Sequence, residues 1–234
     1  DITGMNELAN QQYGVSLVGG ASGNLIGTDG DGMADGIEGN LISGNGWMGV
    51  GIFDAINNRV AGNLIGTDAT GAGALPNGHL TVELYGAVEL RNGASGNVIG
   101  TNGDGNGDNS EGNLISGNAH NGVVISGQGT DNNQIAGNYI GVNGNGSAAL
   151  PNVLVAISSL GGAANNRIGT DNDGVSDAAE ANVISGNLRS GISINTSSDN
   201  VITGNYIGTN QGGGLMLGNG DHGINIVASD PGGQ

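Results

Sequence analysis

Cysteine is absent from the 234 residues, and so is lysine. Without Cys the chain can build neither a disulfide framework nor a thiolate metal site. Without Lys, four Arg face 21 acids, a formal net charge of −17 at pH 7. That balance excludes a general nucleic-acid binder, whose affinity rests on Lys and Arg neutralising phosphates. No apolar run approaches the roughly 18 residues of a membrane-spanning helix, so no membrane insertion is expected. The chain opens on Asp with no signal-peptide pattern, which reads as a processed form or a fragment of something longer. Aromatics make up 3% of the residues and charged side chains 11%, both low for a globular enzyme. What is abundant is Gly, with 51 copies, and Asn, with 34, so turn-formers fill more than a third of the chain. Such a composition usually means disorder. Periodicity overrides that reading.

The string NLIGT at 24–28 returns as NLIGT (63–67), NVIGT (97–101), NYIGV (138–142), NRIGT (166–170) and NYIGT (205–209). Intervals between successive copies alternate because two kinds of insert follow. A twelve-residue insert follows Thr28, Thr101 and Thr170, and a ten-residue insert follows Thr67, Val142 and Thr209. The true unit is therefore a double repeat of about 70 residues, over about 14–85, 86–152 and 153–222, within one domain spanning 1–234. Inside each unit GVGIF (49–53), GVVIS (122–126), GISIN (191–195) and GINIV (223–227) alternate with period two. NLISGN (40–45, 113–118) and NVISGN (182–187) do the same, each closed by a Gly-Asn turn. Short strands joined by turns, with no helical repeat between them, cannot each bury a face alone. Stacked as successive coils they bury Ile, Val and Leu in ladders, and Asn before x-Ile can bond its counterpart one coil away. The expected fold is all-β: a single-stranded parallel β-helix, or solenoid, of six or seven coils with regular loop inserts. At about 4.8 Å per coil it would be roughly 30 Å long.

The N-x-I-x-G-N repeats at 113–118, 182–187 and 200–205 resemble those of right-handed parallel β-helix proteins of the pectin-lyase-like superfamily. The IGTD and ALPN loops resemble repeats of large secreted bacterial surface proteins. The resemblance covers about 14–227 and implies a right-handed coil and an extracellular, cell-surface or matrix location. It implies no single chemistry, because that superfamily holds lyases, hydrolases, epimerases, tailspikes and adhesins.

The first insert carries the strongest chemical signal, [DN]-x-D-G-x-x-D-x-x-E. Its copies are Asp29, Asp31, Asp35 and Glu38; Asn102, Asp104, Asp108 and Glu111; and Asp171, Asp173, Asp177 and Glu180. Oxygen donors at alternating positions around a Gly suit Ca²⁺, which takes six to eight oxygens from a flexible loop. The start resembles half of an EF-hand loop; the Glu at position 12 is missing and Glu at position 10 is the substitute. Backbone carbonyls of Met33, Asn106 and Val175 could add ligands. The competing reading is a solvated acidic turn in which Asp bonds its own backbone. Eleven of the 21 acids lie in these inserts, and on one side of the coil they would repel without a counter-ion.

The second insert, with ALPN at 74–77 and 149–152, offers no acid, base or nucleophile constellation; Leu75 and Leu150 are expected to fold back on the coil. Thr28, Thr67, Thr101, Thr170 and Thr209 follow an inward Ile by two residues, so they point toward the core and not to an ice-binding face. A lyase needs a basic residue and positive charge for a polyanion, and a hydrolase needs converging carboxylates. Only Glu83 and Glu89 sit in strand-like runs, and Glu89 shares its face with Arg91 as an expected surface ion pair. No catalytic residue is therefore assigned. The sequence favours a non-catalytic extracellular structural module, with a carbohydrate-binding or adhesive module and then a polysaccharide-degrading enzyme as alternatives. Finally, DITGMN (1–6) looks like the continuation missing after SDPGGQ (229–234). Uncapped ends of that kind would stack end to end into a filament.

Overall fold

In the computed structural model, which describes residues 4–6, 9–79 and 85–228, each apolar run is a strand that pairs in parallel with its counterpart one turn away. The first sheet contains Tyr13–Val18, Met48–Phe53, Gly86–Arg91, Asn121–Ser126, Ile157–Leu160, Ile192–Asn195 and Ile224–Val227. The second contains Leu25–Gly27, Arg59–Ala61, Val98–Gly100, Gln134–Ala136, Arg167–Gly169 and Val201–Thr203. The third contains Leu41–Ile42, Leu64–Ile65, Leu114–Ile115, Tyr139–Ile140, Val183–Ile184 and Tyr206–Ile207. The chain thus winds through six turns and begins a seventh. It is a parallel β-solenoid of three sheets, as the spacing of apolar runs implied.

Register follows from the alternation of inward and outward side chains. Val50, Val88, Val123, Ile157 and Ile192 form one inward column of the first sheet. Ile52, Leu90, Ile125, Ser159 and Ile194 form the next column. Val60, Ile99, Ile135 and Ile168 stack in the second sheet, and Ile42, Ile65, Ile115, Ile140 and Ile184 in the third. Ser159 apart, these residues make a single buried core. Ser159 is buried among them with an unpartnered hydroxyl.

Polar ladders close the corners. Asn24, Asn58, Asn97, Asn133 and Asn166 hand an amide proton from each turn to the side-chain oxygen of the next, at 2.8–3.0 Å. A second ladder runs through Asn40, Asn63, Asn113, Asn138, Asn182 and Asn205. A third runs through Asn10, Asn45, Asn77, Asn118, Asn152, Asn187 and Asn219. Asn138 shows the full pattern. Its Nδ2 donates to the carbonyls of Ile99 and Ala136 and to Asn182 Oδ1, and its Oδ1 accepts from Asn113 N and Nδ2. One Asn side chain thus satisfies buried backbone groups on neighbouring turns, which an apolar residue could not do.

The NLIGT strings, read above as one repeat position, occupy two. Ile26, Ile99 and Ile168 lie in the second sheet, whereas Ile65 and Ile140 lie in the third, in register with the Ile of NLISGN and NVISGN. The physical reason is that Ile-Gly-Thr marks a strand leaving for an insert, whichever corner it leaves from. Gly100, for example, has φ +104, and a Cβ there would run into the Ala136 carbonyl oxygen. Where no insert follows, that register position holds Ala61, Ala136 or Thr203. The Thr set splits in the same way. Thr28, Thr67 and Thr101 are fully buried, as expected of inward side chains.

Candidate functional site at the acidic inserts

The twelve-residue inserts leave from the corner between the second and third sheets in alternate turns, so they stack on one side of the rod. Each begins as an Asx turn and ends in a short helical segment, Asp35–Ile37, Asp108–Glu111 or Asp177–Glu180, which the sequence reading did not foresee. That helical turn decides where the Glu goes. Glu38, Glu111 and Glu180 each turn back to accept the N–H of the insert's first residue, Asp29, Asn102 or Asp171, at 3.3, 3.1 and 2.9 Å. Glu111 also pairs with Arg59, and Glu180 with Arg167 at 3.2 Å. The Glu side chains therefore brace the loop from within.

The structure gathers Asp29, Asp31 and Asp35, with one carboxylate oxygen of each within 4.8 Å of the others; Asp171, Asp173 and Asp177 are gathered in the same way. The middle copy differs because Asn102 stands in the first position. Its amide donates to Asp104 at 2.9 Å, and the Asn106 N–H donates to the same carboxylate at 2.8 Å. Those two bonds, the backbone N–H foremost, hold the Asp104 carboxyl below its usual range.

The three copies also satisfy their third acid differently. Asp108 accepts from the Thr101 hydroxyl (2.7 Å), the Gly105 N–H (2.9 Å) and the Ser176 hydroxyl of the neighbouring insert (2.5 Å). Asp177 accepts from the Thr170 hydroxyl at 2.8 Å, and Arg167 lies 3.5 Å from Asp171. In the first copy the corresponding hydroxyl, Thr28, goes to Glu38 instead, at 3.0 Å. Asp35 is 8% exposed, and its Oδ1 is buried without a hydrogen-bond partner among the described residues.

The ten-residue inserts leave from the corner between the third and first sheets and fold back as hairpins. Thr67 bridges Ala74, Val142 bridges Ala149 and Thr209 bridges Met216. Leu75 and Leu150 are half-buried, and their carbonyls accept from Gly44 and Gly117 of the preceding turn at 3.1 Å. That is the fold-back expected of the ALPN segments.

A second feature lies on the outer face of the first sheet, and the sequence reading missed it. Tyr13 packs edge-on against Trp47 and Phe53, with centroids 5.6 and 5.8 Å apart, and the Arg91 guanidinium sits 4.3 Å from the Phe53 ring and 5.8 Å from that of Tyr85. Beside this cluster is a groove of about 580 Å³ whose walls include Tyr85, Glu89, Val124, Ser158 and Arg189. Glu89 corrects an expectation. It is not in a surface pair but 4% exposed, accepting from the Gly86 N–H at 3.2 Å with Arg91 at 3.3 Å. Burial pushes its carboxyl above the usual range, and the N–H and guanidinium offset that only in part. Glu83 and both chain ends, 1–3 and 229–234, lie outside the described residues. Stacking of successive turns brings this cluster together, since Tyr13, the Trp47–Phe53 stretch and Tyr85 come from three different turns.

No family model, curated protein or solved structure matches the chain.

Proposed function

We propose that the protein is a non-catalytic structural module, a stiff β-solenoid rod that works outside the cell, at a surface or in a matrix. The observation that carries this reading is the continuity of the interior. Apolar columns and three Asn ladders cross turn after turn, each residue satisfied by the same residue one turn away. A wall so uniform resists bending and carries loops at fixed spacing, which is what a spacer or display element needs. The pectin-lyase-like resemblance supports an extracellular setting and a right-handed coil. The ladders are also polar, because every Asn-to-Asn bond runs from an amide to the side-chain oxygen of the later turn. Opposite end faces are therefore complementary, and Ile224 and Ile226, in line with the inward Ile192 and Ile194, are exposed at the later one. A second copy meeting those faces would stack head to tail and not close into a ring.

Sedimentation velocity and electron microscopy over rising protein concentration test this reading. The expected result is unbranched filaments one rod wide. A monodisperse monomer throughout would remove the end-to-end contact, and release of reducing sugar from a polysaccharide panel would overturn the non-catalytic assignment.

A second reading, carbohydrate binding, is favoured by the half-buried aromatic cluster and its groove. Flat rings beside hydrogen-bonding groups suit a sugar's apolar face and hydroxyls. Neutral oligosaccharides should then shift the Trp47 fluorescence, and a Tyr85→Ala variant should lose the shift. Unchanged emission across a panel of sugars would dismiss that reading.

A further inference from the structure

We infer that the first acidic insert is a Ca²⁺ site, with Asp29, Asp31 and Asp35 as its carboxylate ligands. The argument rests on what differs among three loops of one design. In the second and third copies the chain supplies its own donors or charge. Asp108 is held by Thr101, Gly105 and Ser176, and Asp104 by the Asn102 amide and the Asn106 N–H. Asp177 is held by Thr170, and Asp171 has Arg167 beside it.

The first copy keeps the backbone N–H on its middle acid, from Met33 to Asp31 at 2.7 Å, but lacks the others. Thr28 is diverted to Glu38, and Arg59, paired with Glu111, reaches the Asp29 backbone oxygen at 3.4 Å but not the Asp29 carboxylate. The residue standing over Asp35 where Ser176 stands over Asp108 is Gly107, which has no hydroxyl; a Cβ built there would lie 2.7 Å from Asp35 Oδ2. Three carboxylates converge within 4.8 Å, as they do in the third copy, but here the innermost has a buried oxygen with no donor among the described residues. An ionised carboxylate removed from water without a partner is strongly unfavourable. A cation is the missing partner.

The donor set selects the ion. The ligands are all hard oxygens, and among the described residues no His or Cys joins them, which disfavours Zn²⁺ and other borderline metals. Asp29 and Asp31 each use one oxygen on a backbone N–H, from Asp31 at 3.1 Å and Met33 at 2.7 Å, leaving the other for an ion. Both are exposed, so water can complete a shell of six to eight oxygens. Such a loose, carboxylate-rich loop suits Ca²⁺ better than the rigid octahedron of Mg²⁺. The site goes beyond the structural reading above and does not depend on it.

The test uses the full chain, stripped with chelator and titrated with calcium chloride by calorimetry, with magnesium chloride in a parallel arm. One site is expected, with Mg²⁺ at least tenfold weaker, and Ca²⁺ should raise the melting temperature. Asp35→Asn keeps the shape and removes the charge. It should weaken Ca²⁺ at least tenfold while raising the melting temperature in chelator, a reversal that a merely structural role would not give. Asp177→Asn should leave Ca²⁺ binding unchanged, with far-UV circular dichroism checking the fold of both variants. Absence of heat and of thermal shift in the parent chain would overturn the proposal. So would unaltered binding by Asp35→Asn, or an equal loss in Asp177→Asn.

Discussion

The interior of the rod and the acidic corner outside it are built from the same repeat, yet they obey opposite rules. Inside, sameness is the mechanism. Asn113, Asn138 and Asn182 work only because each has an identical neighbour above and below. At the corner, three copies of one loop meet the same need in three ways, through Ser176 and Thr101, through Thr170 and Arg167, and, at Asp35, with no protein donor. Where each residue depends on its own copy, a change at one position breaks a whole column. Where each loop draws on whatever donors lie near it, copies are free to drift, and drift is what leaves one of them open to a ligand.

Substitutions along one path from core to loop should expose that contrast. Ile140 is fully buried in the third-sheet column, so Ile140→Ala should cost about 2–5 kcal/mol in chemical denaturation, the range for such core truncations. Asn138→Ala comes next. It takes the acceptor from Asn113 and the donor from Asn182, and leaving buried polar groups unpaired costs about 1–3 kcal/mol. Asn109→Ala, on the exposed loop, should change stability by less than about 0.5 kcal/mol. Equal effects at Asn138 and Asn109 would mean that the ladder carries no weight.

Sequence period made the solenoid legible because period two and the Gly-Asn turns are local signals, repeated so often that no single exception hides them. Ser159, a polar residue in the second inward column of the first sheet, does not disturb the pattern. The corner assignment was not legible. Ile-Gly-Thr reports that a strand runs into an insert, which is true at two corners, and only pairing shows that Ile65 belongs with Ile42 and Ile115. At the acidic inserts the motif located the acids but treated the Glu as one of the cluster. It could not show that a following helical turn swings Glu111 back to the Asn102 N–H and to Arg59. Nor could it show that Asp35 lacks a donor. That depends on Gly107 standing where the next copy has Ser176, a contact between loops some 70 residues apart. Glu89 was misjudged for a similar reason. Period two puts it on the outer face, but the aromatic cluster and its neighbours then cover that face.

Glu89 offers the smallest and sharpest test of the contrast, because it is a buried acid on the wall itself, with partners of its own. Its carboxyl titrates above the usual range in the folded chain, since burial outweighs the help from the Gly86 N–H and Arg91. The sign follows from linkage. Below the unfolded-state value, near 4.3 for Glu, both states are protonated and the fold keeps its full stability. As pH rises past that value the unfolded chain releases its proton first, and stability falls until the folded carboxyl has also ionised. Glu89→Gln keeps an acceptor for Gly86 and removes the charge. Its melting temperature should therefore match the parent at pH 4 and exceed it at pH 7, with the gap opening between the two. If the parent were the more stable at pH 7, the Arg91 pair would outweigh burial, and this part of the wall would follow the rule of the loops.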